Sequence, residues 1–183
     1  MKGIIFNLAE EVVRRGHGED AWDAVLVGAG LDGSWTSLGS YPDDHLERVV
    51  ASAAELLGVD EQTVLRTVAQ GSMPLLAERY PHFFTQHTQA VDFLLTLNDI
   101  IHPEVLKLYP GSVPPTFGFD RPTPTSLTMS YGSPRHLCAL AEGFIAGAAE
   151  HYGEHVTVTQ SSCMLRQDPE CLITCQFSDA AVA

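Results

Sequence analysis

The stretch "MSYGSPRHLC", residues 129–138, marks the point where an alternating pattern of residues changes to a helical one. Tyr131, Ser133 and Arg135 are hydrogen-bond donors at alternate positions, and alternate residues of a β-strand share one face. Such a row can hold a pair of carboxylates or a phosphate, with the arginine fork making the strongest contact. The alternative is a solvent-facing polar strand edge in which Ser133 and Pro134 cap the following helix.

The sequence on either side of this row predicts strands and one helix. Residues 126–131 alternate as a half-buried strand does, and residues 134–153 have the spacing of an amphipathic helix. Residues 155–165 and 171–177 predict a closing antiparallel hairpin. The proline-rich residues 110–126 predict a connector and not a strand.

The first two thirds of the chain predict a helical block. Apolar residues recur with helical spacing from Ile4 onward, and glycines stand where the first helices should end. Asp43 and Asp44 are suited to capping a helix, and Pro74 is expected to kink or split a later one. A helical block followed by a strand–helix–hairpin block is typical of the α+β class.

His102 lies on the apolar stripe of a predicted helix that begins near residue 90. The same stripe contains Val91, Leu94, Leu95, Asn98, Ile101 and Val105. A histidine on such a face is usually a core residue, but a neutral imidazole there also suits axial ligation of haem iron. Pro103 removes one helical hydrogen bond, which predicts a bend or a new start of the helix beside His102.

Three cysteines, Cys163, Cys171 and Cys175, are spaced across the predicted hairpin. Paired antiparallel strands could bring their sulfur atoms together, and zinc accepts thiolates in tetrahedral sets. Three ligands do not close a structural zinc site, so Cys138 or His155 is the candidate for a fourth ligand. The alternative is a set of free, buried thiols.

The 183-residue chain has a formal net charge of −13, with 45% hydrophobic and 18% charged residues. This composition predicts one globular domain, and the charge argues against a nucleic-acid partner and against an anionic membrane surface. No apolar run approaches the roughly 20 residues that cross a bilayer, and acidic residues interrupt the N-terminal apolar run before a signal-type core develops. We therefore expect a cytoplasmic protein whose four cysteines are thiols, metal ligands or redox switches.

No pattern in the chain predicts a catalytic residue. There is no glycine-rich phosphate loop, no nucleophile elbow and no His-Glu-x-x-His motif. Ser133 stands beside a proline, which makes it an unsuitable nucleophile. We expect a protein that is not an enzyme.

Four stretches together resemble the H-NOX family, the haem nitric oxide/oxygen-binding domains related to the haem domain of soluble guanylate cyclase. They are "MKGIIFNLAEEVV", "HGEDAWDAVLVGAGL", "IIHPEVLKLYPGSVPP" and "YGSPR". The resemblance implies one domain over residues 1–178 and a loose tail at residues 179–183. It also implies a helical subdomain followed by an antiparallel sheet of about four strands with a packed helix, and haem b between the two.

The resemblance further implies roles for particular residues. His102 would ligate the haem iron, and Pro115 would press on the porphyrin and distort it. Tyr131, Ser133 and Arg135 would hold the haem propionates.

The distal side of the haem separates oxygen binders from nitric oxide sensors in this family. Oxygen binders carry a tyrosine five residues after the arginine of the row, and that position is Leu140 here. The other distal positions also lack a side-chain donor; they are Ile5, Ala9, Pro74 and Phe144. The resemblance therefore implies a nitric oxide sensor of the bacterial type, with carbon monoxide as a further gas ligand.

The same resemblance implies how the signal is passed on. Nitric oxide bound opposite His102 would release the iron–histidine bond and shift the two subdomains. The partner would be a separate protein, either a histidine kinase or a cyclic-di-nucleotide signalling enzyme.

Zinc is a second cofactor suggested by the resemblance. Some bacterial relatives bind zinc with cysteines of this hairpin and a histidine three residues before the first cysteine, where this chain has Gln160. The open alternatives to a nitric oxide sensor are a thiol- or zinc-based redox switch and an oxygen-binding haem protein.

Overall fold

The structure is a computed structural model that describes residues 1–179. Its α-helices are α1 (Gly3–His17), α2 (Glu19–Ala29), α3 (Asp44–Leu57), α4 (Glu61–Arg79), α5 (Pro81–Phe84), α6 (Ala90–Leu95), α7 (His102–Leu108) and α8 (Cys138–His151). A π-helix (Leu97–Ile101) joins α6 to α7. The strands are β1 (Thr116–Thr123), β2 (Ser126–Gly132), β3 (Glu154–Ser162) and β4 (Cys171–Asp179).

Cap residues explain where several helices begin and end. Gly30 adopts the left-handed conformation that ends α2, and the Asp60 carboxylate accepts a hydrogen bond from Thr63 N at 2.9 Å where α4 begins. Asp43 precedes α3 but makes no capping hydrogen bond, so the expected cap is wrong there. The helix α4 continues through Pro74 and is not split by it.

The four strands form one antiparallel sheet in the order β1-β2-β4-β3. The prediction that residues 110–126 form a connector is wrong, because β1 lies within them. β1 is an edge strand, and its pairing with β2 is irregular between Asp120 and Thr123. An edge position beside such an irregularity tolerates Pro122, whose missing N–H would interrupt a central strand.

Two hydrophobic clusters correspond to the two blocks predicted from the sequence. One contains Phe6 and Trp22 within the helical block, and the other contains Leu127, Ile145 and Ile173 beneath the sheet. The helix α8 is shared, because it packs against both α4 and the strands. The α+β class with a four-stranded antiparallel sheet is therefore confirmed.

The C-terminal end of the chain differs from the prediction by one residue. β4 extends to Asp179, which had been assigned to a loose tail. The rest of that predicted tail, residues 180–183, lies outside the described residues. None of the helices in the described part of the chain combines the length and the apolar character that crossing a membrane requires.

Candidate functional site

A cavity of about 400 Å³ lies where the helical block meets the sheet and α8. Most of its wall is apolar and comes from helices of both blocks and from β1 and β2. Sequence reasoning did not assign many of these residues to a site. They include Ile4, Leu8, Met73, Leu76, Phe83, Phe93, Leu97, Val105, Phe117, Met129, Leu137 and Ile145. All are ordinary core residue types, so only the folded chain distinguishes a cavity wall from a solid core.

His102 is the first residue of α7 and lines the cavity. As expected, the regular helix is interrupted and starts anew beside Pro103. The imidazole stacks on the Phe117 ring with centroids 5.7 Å apart. Burial lowers the pKa of His102, so the ring is neutral at pH 7, and within residues 1–179 no hydrogen bond occupies its nitrogens. A neutral imidazole of this kind can ligate a metal ion.

The structure brings the three predicted donors together, although not on one strand. β2 ends at Gly132, so Tyr131 lies on the strand while Ser133 and Arg135 lie in the turn that follows. The expectation of a single strand face is therefore wrong, but all three side chains line the cavity. β2 is an inner strand and Tyr131 is only 2% exposed, which excludes the solvent-facing strand edge.

Two partners that sequence reasoning missed hold Arg135 in place. Its Nε donates to Asp43 Oδ2 at 2.8 Å, and its Nη1 donates to the Val113 carbonyl at 3.0 Å. The amino group of Met1 also donates to Asp43, and this contact is the largest of the effects that lower the pKa of Asp43. The sequence predicted only a helix cap for Asp43, since nothing local relates it to a residue 92 positions away.

Tyr131 and Ser133 keep their hydroxyl protons available. Tyr131 Oη accepts a hydrogen bond from Leu137 N at 3.1 Å, and Ser133 Oγ accepts one from Arg135 N at 3.3 Å. Burial raises the pKa of Tyr131, so its hydroxyl stays protonated and can donate. Two neutral donors beside a guanidinium suit carboxylate groups of a ligand.

The five predicted distal residues divide into two groups. Ile5, Leu140 and Phe144 line the cavity. Ala9 is not among the lining residues; it is buried in the helical cluster. Pro74 does not line it either, since its side chain is exposed. The adjacent residue of α4, Met73, contributes to the wall instead.

Pro115 lines the cavity, as does a pair of tyrosines that the sequence did not reveal. The hydroxyl oxygens of Tyr80 and Tyr109 lie 2.6 Å apart and share a hydrogen bond. Tyr109 directly follows α7, seven residues after His102, which corresponds to roughly 10 Å along a helix. Both tyrosines line the cavity, so its wall is not wholly apolar.

The cysteines form a cluster whose membership differs from the prediction. Cys138, Cys163 and Cys171 are buried, and their sulfur atoms lie within 4.8 Å of one another. Cys175 is not in this group, because four residues along a strand span about 13 Å. Cys138, predicted only as a possible fourth ligand, is one of the three, and His155 is exposed on β3 and is not a member.

The comparison with known families agrees with this cavity. The sequence model of the family described as Haem-NO-binding matches residues 2–160. The chain belongs to this family. Its haem gas-sensing domains are also called H-NOX domains. A search of curated proteins found no match for the chain.

Solved H-NOX structures share the fold over nearly the whole chain. An H-NOX protein from S. oneidensis in the Fe(II)NO ligation state is 29% identical, with a TM-score of 0.89 over 98% of this chain and 100% of that one. Two less similar structures show the fold alone. They are an Fe(II) unliganded H-NOX protein from K. algicida (24% identity, TM-score 0.86, 100% of both chains) and an oxygen-binding H-NOX domain related to soluble guanylate cyclases (22% identity, TM-score 0.81, 100% of this chain and 98% of that one).

The residues of this chain fit the haem that H-NOX domains bind. The cavity is mostly apolar, and His102 presents one neutral imidazole to it. The donors Tyr131, at the end of β2, and Ser133 and Arg135, in the turn that follows, also line it. Haem is a flat, largely apolar molecule with two carboxylates. A site for it needs an apolar wall that excludes water, a nitrogen ligand for the iron and a cationic group near the carboxylates.

Proposed function

We propose that this chain is a nitric oxide sensor that holds haem b and acts without catalytic activity of its own. His102 is its iron ligand, and Tyr131, Ser133 and Arg135 hold the propionates. Haem iron supplies the position at which nitric oxide or carbon monoxide binds. The observation that carries the choice of gas is Leu140, which lines the cavity where oxygen-binding relatives carry a tyrosine donor.

The lack of a donor at this position favours nitric oxide over oxygen for a simple electrostatic reason. Bound oxygen gains partial negative charge, which a hydrogen-bond donor in a dry pocket stabilises and an alkyl side chain does not. Ile5, Leu140 and Phe144 offer only hydrocarbon groups to the cavity. Tyr80 and Tyr109 also line the cavity, and their hydroxyl groups share one hydrogen bond with each other.

His102 is also suited to move when its bond to iron is released. It follows a π-helix, and no residue of α7 is fully buried. Packing therefore holds this segment only weakly in one position. A relaxed α7 would alter the wall of the cavity that Pro115 and Phe117 complete. The helical block and the sheet would then shift relative to each other, a two-state change that a gas ligand can bias.

The output belongs to a separate protein in this proposal. The resemblance to bacterial sensors favours a histidine kinase or a cyclic-di-nucleotide signalling enzyme as that partner. The cytoplasm is the proposed location, a compartment in which cysteines are kept as thiols.

Replacement of His102 tests the proposal. A His102→Gly variant should retain less haem after gel filtration, by about tenfold, because the axial ligand is lost. Added imidazole should restore the haem, since it can occupy the space of the missing ring. The rescued protein should bind nitric oxide without transmitting the signal, because the imidazole is no longer attached to α7.

Two results would count against this role. One is a His102→Gly protein that keeps its haem without imidazole. The other is a rescued variant whose α6–α7 segment shows the same change in hydrogen exchange on nitric oxide binding as the wild type.

A further inference from the structure

The buried thiol cluster lies outside the haem cavity and connects three elements. Cys138 begins α8, Cys163 follows β3, and Cys171 begins β4. The Cys138 and Cys163 sulfurs are 3.7 Å apart, and the Met164 amide N–H donates to Cys171 Sγ at 3.2 Å. All three side chains are at most 4% exposed. Three buried sulfur atoms that lie this close together, one of them accepting a hydrogen bond from a backbone amide, suit a metal ion that prefers sulfur ligands.

The three cysteines would fill three positions of a tetrahedral zinc site, and the side chain beside the fourth position is not a zinc ligand. Gln160 faces the Cys138 sulfur closely enough to lower the pKa of that thiol, against the larger effect of burial, which raises it. The Gln160 Nε2 atom is buried and has no regular hydrogen bond. The Asp168 carboxylate accepts a hydrogen bond from the Cys163 N–H at 2.7 Å but does not belong to the group of close ligand atoms.

In the part of the chain that the structure describes, no fourth zinc ligand lies beside the three cysteines. Within residues 1–179 the three cysteines form a group that no other His, Cys, Asp or Glu joins, and residues 180–183 are Ala, Ala, Val and Ala. Structural zinc is almost always held by four protein ligands. The donors present therefore do not fit the zinc site that the resemblance suggested.

We propose that Cys138, Cys163 and Cys171 bind one Cu(I) ion per chain in preference to zinc. Soft thiolates select Cu(I), which is satisfied by three sulfur ligands and needs no fourth. A monovalent ion leaves the three thiolates with excess negative charge in a buried site. The Met164 N–H, which donates to Cys171 Sγ, offsets part of that charge, and the buried Gln160 Nε2, which has no hydrogen-bond partner among the described residues, can donate a further N–H.

Competition for metal ions tests this assignment on the haem-loaded protein, kept reduced and free of oxygen. Cu(I) or Zn(II) is added with a chelator selective for each ion, and bound metal is measured by elemental analysis after desalting. The wild type should retain about one Cu(I) per chain and little zinc. Copper X-ray absorption should show a shell of sulfur neighbours.

Two cysteine variants locate the site. Cys171→Ser should weaken Cu(I) binding by about 10- to 100-fold. Cys175→Ser is the matched control, because Cys175 is equally buried on the same strand but outside the cluster, and it should leave copper unchanged. Haem content and circular dichroism report whether each variant is folded.

Gln160→His provides an independent test that does not remove a thiol. The new imidazole would be a fourth ligand beside the three thiolates. It should raise the affinity for zinc about tenfold or more, because four ligands complete a tetrahedral zinc site. The proposal is overturned if the wild type retains zinc and not copper, if Cys175→Ser loses as much copper as Cys171→Ser, or if Gln160→His leaves zinc affinity unchanged.

Discussion

At the scale of single residues, burial fixes the form in which His102 meets a ligand. The apolar surroundings lower the pKa of His102, which keeps the imidazole neutral and its nitrogen lone pair free. Arg135 shows the opposite case, since its charge is permanent and Asp43 and the Val113 carbonyl orient it. One edge of the cavity is thus cationic at every relevant pH, and the axial donor is neutral.

The lowered pKa predicts how the apoprotein responds to acid. An unfolded histidine titrates near pH 6.5, so below about that pH the unfolded chain binds a proton that buried His102 does not. The free energy of unfolding should therefore decrease as the pH falls from about 6.5 toward the folded pKa, and His102→Gln should reduce that slope. Urea titrations of the two apoproteins at several pH values between about 7.5 and 5.5 measure how the free energy of unfolding depends on pH. The same pH dependence in both proteins would show that His102 is not protected from protonation.

At the scale of secondary-structure elements, α4 and α8 approach each other so closely that they behave as one unit. A Cβ atom on Gly143 would lie 2.2 Å from the Arg66 carbonyl oxygen and 2.7 Å from the Ala69 Cβ. Both helices also carry cavity residues, among them Met73 and Leu140. The depth and width of the cavity therefore depend on this contact.

Gly143→Ala should separate the two helices. We expect the free energy of unfolding to fall by about 1–3 kcal/mol, because the added methyl overpacks the interface. Gly16→Ala on α1 is the control, since its Cβ would meet no atom within 4 Å, and it should be neutral or stabilising by up to about 1 kcal/mol. Guanidinium unfolding compares the two variants, and equal stability of both would contradict the close contact.

The elements also show what sequence patterns can and cannot predict. The periodic spacing of apolar residues predicted the helices and three of the strands, because burying one face of a helix or strand requires apolar residues at that spacing. β1 was missed because Pro122 and the prolines on either side of the strand outweighed the alternation of Phe117 and Phe119 with their neighbours. Ala9 and Pro74 are next to the lining residues Leu8 and Met73 in the sequence, and their distal role stays a prediction. The partner of Arg135 was missed because only the folded chain brings Asp43 to it.

At the scale of the whole molecule, the cavity separates two cores that share α8. The helical cluster supplies Ile5 and Leu140 to the wall, and the sheet cluster supplies Phe144 and Tyr131. In the proposed mechanism, a ligand that fills this space contacts both blocks, so that a change at His102 alters how the blocks pack together. A gas molecule would in this way change the shape of a surface far from its binding site.

The most direct test of the account is the absorption spectrum of the reduced, haem-loaded protein exposed separately to nitric oxide and to air. We predict a shift of the main haem band with nitric oxide and no stable oxygen complex in air, whereas Leu140→Tyr should gain one because it adds a donor to the cavity. A wild-type protein that forms a stable oxygen complex, or that shows no change with nitric oxide, would contradict the proposed function.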